Sequence, residues 1–458
     1  MHWTIAASHD THAVALKFAA YLEELGLRQG EEYDFHIADT DPGTGHRIVL
    51  GCHDSSTPEE YRIKAENVNG CNVITVTGSD RSGLLYGWAD FVNRYIPHAE
   101  NTDSTFPYYF RPVFFTDDPI RPYERVSSPK IARRGCWTWG HVIRDPGGYF
   151  ENMVKCKMNT CVIWNNHVPT NAREIVRMAH ENGIRLLWGY AWGWSTNINA
   201  ETMQEHLNRR DEVVREYLDN YAPLGADGIY FQSFTETASE TLGGRLIAEV
   251  VTEYVNDIAG KILAVQPDLN IQFGLHATSV KERLEYIAKV DPRIEIVWED
   301  CGAFPFAYIP KNTDNADATM DIAHEMSTLR GRDDRFGCVY KGLCCLNWTK
   351  FSYPPAPYAI GSYAALDPMP KYLAEKRKIW HYVQAHWLKT AEVCRAMTEM
   401  LMNEKNGELT ILALVEDSAF EFQCWFPVLL LGEILWDPTG DIGEMIRDVS
   451  LSPYAVFA

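Results

Sequence analysis

Two acidic positions in the middle of the chain have the setting that acid–base chemistry needs. Glu236 follows the apolar run 228–234, and the pair Glu299 and Asp300 follows the apolar run 294–298. Apolar runs that end in a carboxylate are how buried parallel strands bring titratable groups to one rim of a barrel. Two carboxyl groups facing each other across an acetal divide the work of breaking it. One protonates the leaving oxygen, and the other activates water or attacks the anomeric carbon. Glu236 is one candidate carboxyl group. Glu299 or Asp300 is the other, and the choice between them stays open. The structural alternatives are that Glu236 caps a helix starting at 237–239 and that Asp300 pairs with a loop arginine.

A second set of residues gathers at the same kind of position. Eight of the fourteen tryptophans fall in this part of the chain: Trp137, Trp139, Trp164, Trp188, Trp192, Trp194, Trp298 and Trp348. Flat rings with polar neighbours suit a sugar, which offers an apolar C–H face and a hydroxyl rim. For any single ring, filling a core is the competing role. The set expected to bind a carbohydrate substrate is Trp137, Trp139, His141, Trp164, Asn165, His167, Tyr190, Trp192, Trp194, His276, Trp298, Lys341 and Trp348. His141, His167 and His276 with a carboxylate would also satisfy a hydrolytic zinc ion. No His-x-His opens the first strand, however, so no metal is expected. Lys341 alone is a poor signal for Schiff-base chemistry. No glycine-rich dinucleotide or P-loop motif occurs, and no cofactor is expected.

These residues need elements to hold them on one rim. Apolar strands are predicted at 134–139, 160–165, 185–192, 228–234, 270–276, 295–299 and 336–343, with an eighth near 359–363. Helical patterns separate them at 171–182, 200–221, 242–265 and 280–288. Repeated strand–helix units with strands apolar throughout suit a (β/α)8 TIM-type barrel, an α/β fold, over 121–365. Residues 1–120 read as a small α/β sandwich domain, with a hairpin turn at Asn69-Gly70 and a helix capped by Ser79 or Asp80. Residues 366–458 read as a mainly helical C-terminal region, with a helix at 371–402, a strand at 408–414 and a helix at 419–436 that Pro427 interrupts.

Composition narrows the class. The 458 residues are 46% hydrophobic and 23% charged, which is globular. The net charge of −20 and the lack of a basic stripe argue against nucleic acid, and no apolar run is long enough to span a membrane. Eleven cysteines without a CxxC pair read as reduced and mostly buried. The first ten residues lack a signal-peptide pattern, so the chain reads as cytoplasmic, although a trimmed secreted chain would read the same. Helical C-terminal regions often pair, which makes a homodimer an expectation.

Four segments carry a family resemblance. Residues 72–88, from Asn72-Val-Ile-Thr to Leu85-Tyr-Gly-Trp88, resemble the end of the small α/β domain that precedes the barrel in β-hexosaminidases and α-glucuronidases. Arg133-Arg-Gly-Cys-Trp137 and Lys157-Met-Asn-Thr160 are similar to the opening strands of those barrels, and Asp227-Gly-Ile-Tyr-Phe231 to their strand four. The resemblance implies a glycoside hydrolase, with Glu236 as acid and Glu299 or Asp300 as base. It departs from the acetamido-assisted hexosaminidases, because Thr235 precedes Glu236 where they carry an aspartate. It departs from the α-glucuronidases in basic residues, since only Lys341 and Arg144 are placed to hold a uronate.

Overall fold

A computed structural model describes residues 2–29, 34–96, 119–192, 200–236, 239–276, 279–301, 316–343, 353–361, 369–415 and 419–457. The chain divides into two compact units, Met1–Pro129 with Gly443–Ala455, and Lys130–Ile442 with Val456–Ala458.

The first unit is built on a six-stranded mixed sheet. Strands His2–Ala7, Asp34–Ala38, Arg47–Cys52 and Cys71–Gly78 run parallel, and Tyr61–Val68 and Tyr123–Ser127 add antiparallel pairs at one edge. Tyr61–Val68 and Cys71–Gly78 form the expected hairpin. Asn69 and Gly70 turn it with φ of 52° and 82°, the left-handed pair that matches strand twist. Asp80 caps helix Arg81–Asp90 by accepting the Gly83 amide at 2.7 Å. Residues Gly443–Ala455 return to this unit, where Arg94 bridges Asp448 and the fully buried Asp90.

The second unit is a closed barrel of eight parallel strands. In order they are Arg133–Trp139, Thr160–Trp164, Arg185–Ala191, Gly228–Gln232, Asn270–Leu275, Ile294–Cys301, Phe336–Leu343 and Leu409–Val415. The first seven match the predicted strands. The eighth does not. Residues 359–363 were expected to supply it, but the described part of that stretch is a loop. There Ile360 exchanges hydrogen bonds with the side chain of Asn171, both at 2.9 Å. Leu409–Val415 closes the barrel instead, pairing Thr410 with Arg133 and Leu414 with Trp137.

This changes the expected boundaries. The barrel does not end at 365, and 366–458 is not a separate helical region. Helix Met369–Glu404 is the barrel's own crossover between strands seven and eight, and its buried Trp380, Trp387, Met397 and Leu401 are its core-facing stripe. Helix Phe426–Trp436 begins with Pro427 in its first turn, where a missing N–H costs nothing. The helix is buried along its whole length and carries Glu433, which pairs with the buried Lys157 at 2.8 Å.

Candidate active site

Alternation along the barrel strands decides which side chains reach the interior. Strand four sends in Tyr230 and Gln232, strand six sends in Glu299, and strand five offers Gly274 between them. A Cβ on Gly274 would lie 2.2 Å from both Glu299 Oε1 and the Tyr230 hydroxyl. The glycine therefore leaves the gap through which strands four and six touch. Through it the Tyr230 hydroxyl donates to Glu299 Oε1, and Gln232 Nε2 lies 2.5 Å from both carboxylate oxygens. His276, just past strand five, places Nε2 2.9 Å from Oε2.

Glu299 is only 4% exposed, and burial alone would push its carboxyl up. The charge and hydrogen bond of His276, the charge of Lys341 and the Tyr230 hydroxyl outweigh burial and hold it below the usual carboxylate range. The strand register also shifts between Trp298 and Cys301, a local irregularity of the kind that re-aims a side chain. The result is a buried, charged carboxylate at the C-terminal mouth of the barrel. Glu295 lies deeper on the same face. It is fully buried, accepts from Gln272 Nε2 at 3.0 Å, and is pushed up by burial.

The turn after strand four is fixed from the side. Ser279 Oγ donates to the Thr235 carbonyl at 2.5 Å, and the Thr235 hydroxyl accepts the His276 amide at 3.3 Å. Glu236 ends this short helical turn, Phe234–Glu236, so its backbone follows strand four as expected. The side chains of Glu236 and Asp300 lie outside the described residues, as do Trp194 and Trp348.

The other predicted binding residues divide by the face they occupy. Trp137, Trp139 and Trp164 point into the barrel, where they pack with Tyr230, Val297 and Leu412 as a core at 6% exposure or less. Trp188, Tyr190, Trp192 and Trp298 fall on the opposite parity and are buried outside the barrel wall. Trp192 stacks on Phe231 at 3.7 Å between ring centroids, and Tyr190 stacks on Tyr221 at 4.4 Å. These four are packing residues rather than pocket walls. Asn165 is buried too. It accepts the Tyr358 hydroxyl and leaves no room for a Cβ on Gly140, so it braces the loops there. His276 is engaged by Glu299. His167 is exposed, and Lys341 and His141 are half-buried. Burial pushes His141 down to about 4, so it is neutral at physiological pH.

Three contributors were not singled out from the sequence. Tyr230 and Gln232 were legible as inward positions two apart on strand four. Tyr353 had no local signal. It belongs to the segment after strand seven that crosses the ends of strands one and two, where Thr170 donates to the Tyr358 carbonyl and Gly361 to that of Ile143. Tyr353 packs against the inner core, with its ring 5.3 Å from that of His141.

The sequence matches no protein-family model and no curated protein. Solved structures that align with the chain include CpGH84B, at 11% identity and a TM-score of 0.49 over 98% of this chain and 70% of that one. Another is a family GH115 4-O-methyl-α-glucuronidase with specificity for decorated arabinogalactans, at 12% identity and 0.47 over 95% and 56%. A third is a family 89 glycoside hydrolase from Clostridium perfringens, at 10% identity and 0.47 over 90% and 48%. All three are glycoside hydrolases, and the chain spans about half the length of the last two.

Proposed function

We propose that this chain is a glycoside hydrolase that releases a terminal sugar from a glycan or glycoside. The reading is carried by Glu299, a carboxylate kept charged in a water-poor setting by Tyr230, Gln232 and His276. Negative charge held in a site of low dielectric stabilises the positive charge that develops at an anomeric carbon as its bond to the leaving oxygen breaks. Glu299 is accordingly assigned as base or nucleophile, ahead of Asp300. Glu236, on the turn after strand four, is assigned as the acid. The half-buried pair of His141 and Tyr353 supplies the flat face that the buried indoles do not.

The test is hydrolysis of a panel of aryl glycosides that includes an α-glucuronide, a β-N-acetylglucosaminide and neutral hexosides. Wild type is expected to cleave one member. Glu236→Gln is expected to lose about 100-fold or more in kcat/KM. The loss should shrink with a dinitrophenolate leaving group, which departs without a proton. Full activity in Glu236→Gln would remove it as the acid. Failure of folded wild type on every member would count against hydrolysis and direct the work to glycan binding.

A further inference from the structure

Away from the barrel mouth, two thiols that are far apart in sequence meet in the fold. Cys156 ends helix Pro146–Lys155, which follows the first barrel strand, and Cys424 lies beyond the eighth. Their sulfurs are 3.4 Å apart across a separation of 268 residues, and the two side chains are 0% and 4% exposed.

We propose that Cys156 and Cys424 are a reversible oxidation site, converted to a disulfide by a peroxide. A disulfide needs a sulfur–sulfur distance of about 2.05 Å, so the sulfurs must close by roughly 1.4 Å. Side-chain rotation can supply this, because the backbones are already fixed together. The Asn152 side chain donates to the Phe420 carbonyl, and a Cβ on Gly432 would lie 2.3 Å from the Cys156 carbonyl oxygen. The nearby Cys136 sulfur turns its hydrogen bond to Met158 Sδ, at 3.6 Å.

The chemistry balances with one peroxide per pair. Cys424 is the less buried residue of the two, so oxidation starts at its sulfur. Cys424 sulfur attacks the peroxide and becomes a sulfenic acid, releasing water. Cys156 sulfur then attacks that sulfur, a second water leaves, and the two thiol electrons have reduced the peroxide. The bond would tie the helix after strand one to the segment after strand eight, across the seam where the barrel closes. This inference stands apart from the proposed hydrolysis.

Treating the purified protein with hydrogen peroxide, then alkylating it in denaturant and mapping peptides by mass, tests it directly. The expected result is a Cys156–Cys424 cross-link, with the free-thiol count falling by two and returning with dithiothreitol. The midpoint of thermal unfolding should rise by several degrees on oxidation, because the bridge closes a long loop. Cys424→Ser should show neither the cross-link nor the rise. Sulfinic acid at Cys424, a bridge between other cysteines, or an unchanged thiol count after prolonged exposure would each overturn the proposal. The mapping uses wild type, so a variant that fails to fold leaves the test intact.

Discussion

At Glu299, burial and hydrogen bonding pull in opposite directions, and the partners decide the outcome. At Glu421 burial wins. One oxygen accepts the Arg144 amide at 2.9 Å, the other has no partner among the described residues, and burial pushes the carboxyl up to about 8. The fold therefore prefers the protonated acid. The stability this gives is complete below the ordinary value near 4.5 and is lost as pH rises through about 8. Thermal unfolding of wild type and Glu421→Gln should nearly coincide at pH 5, with the variant melting higher at pH 9; parallel curves would contradict this. Gly274→Ala should cost about 1–3 kcal/mol, because its methyl group meets the Tyr230–Glu299 pair. An unchanged midpoint in a denaturant titration would count against the contact. Carboxylates at strand ends were legible in the sequence, but their environments were not. Nothing local to residues 294–301 tells that His276 and Tyr230 converge on Glu299.

Among the elements, the first seven barrel strands were legible because strands covered on both faces are apolar without interruption. The eighth was misplaced for a physical reason. Leu409–Val415 is fully buried and just as apolar, but a crossover helix of 36 residues separates it from strand seven. The loop at 353–361 lay at the spacing that shorter crossovers had set. Parity was the signal left unused for the tryptophans: with Glu299 facing in, Trp298 must face out. Helix Phe426–Trp436 rests on a buried ion pair, and Arg134 and Lys157 both lie over the Trp436 ring at about 5 Å. Lys157→Met would strand Glu433 in that apolar setting and should cost about 3–5 kcal/mol. Adding Glu433→Leu should recover most of the loss. Denaturant titration of the single and double variants decides it, and equal instability of both would show that the charge is not the cause.

For the whole molecule, closure of the barrel fixes the least chain that can hold the mouth. A chain ending at 365 lacks Leu409–Val415, so strands one and seven would expose unpaired edges. It should aggregate, as read by size-exclusion chromatography; a folded monomer would contradict the barrel's closure by that strand. The account of the mouth is tested most directly by Glu299→Gln, assayed on the aryl glycoside that wild type cleaves, with thermal unfolding as the control for folding. The account predicts a folded variant whose kcat/KM is lower by about two orders of magnitude or more. A folded variant that hydrolyses the substrate at the wild-type rate would contradict it.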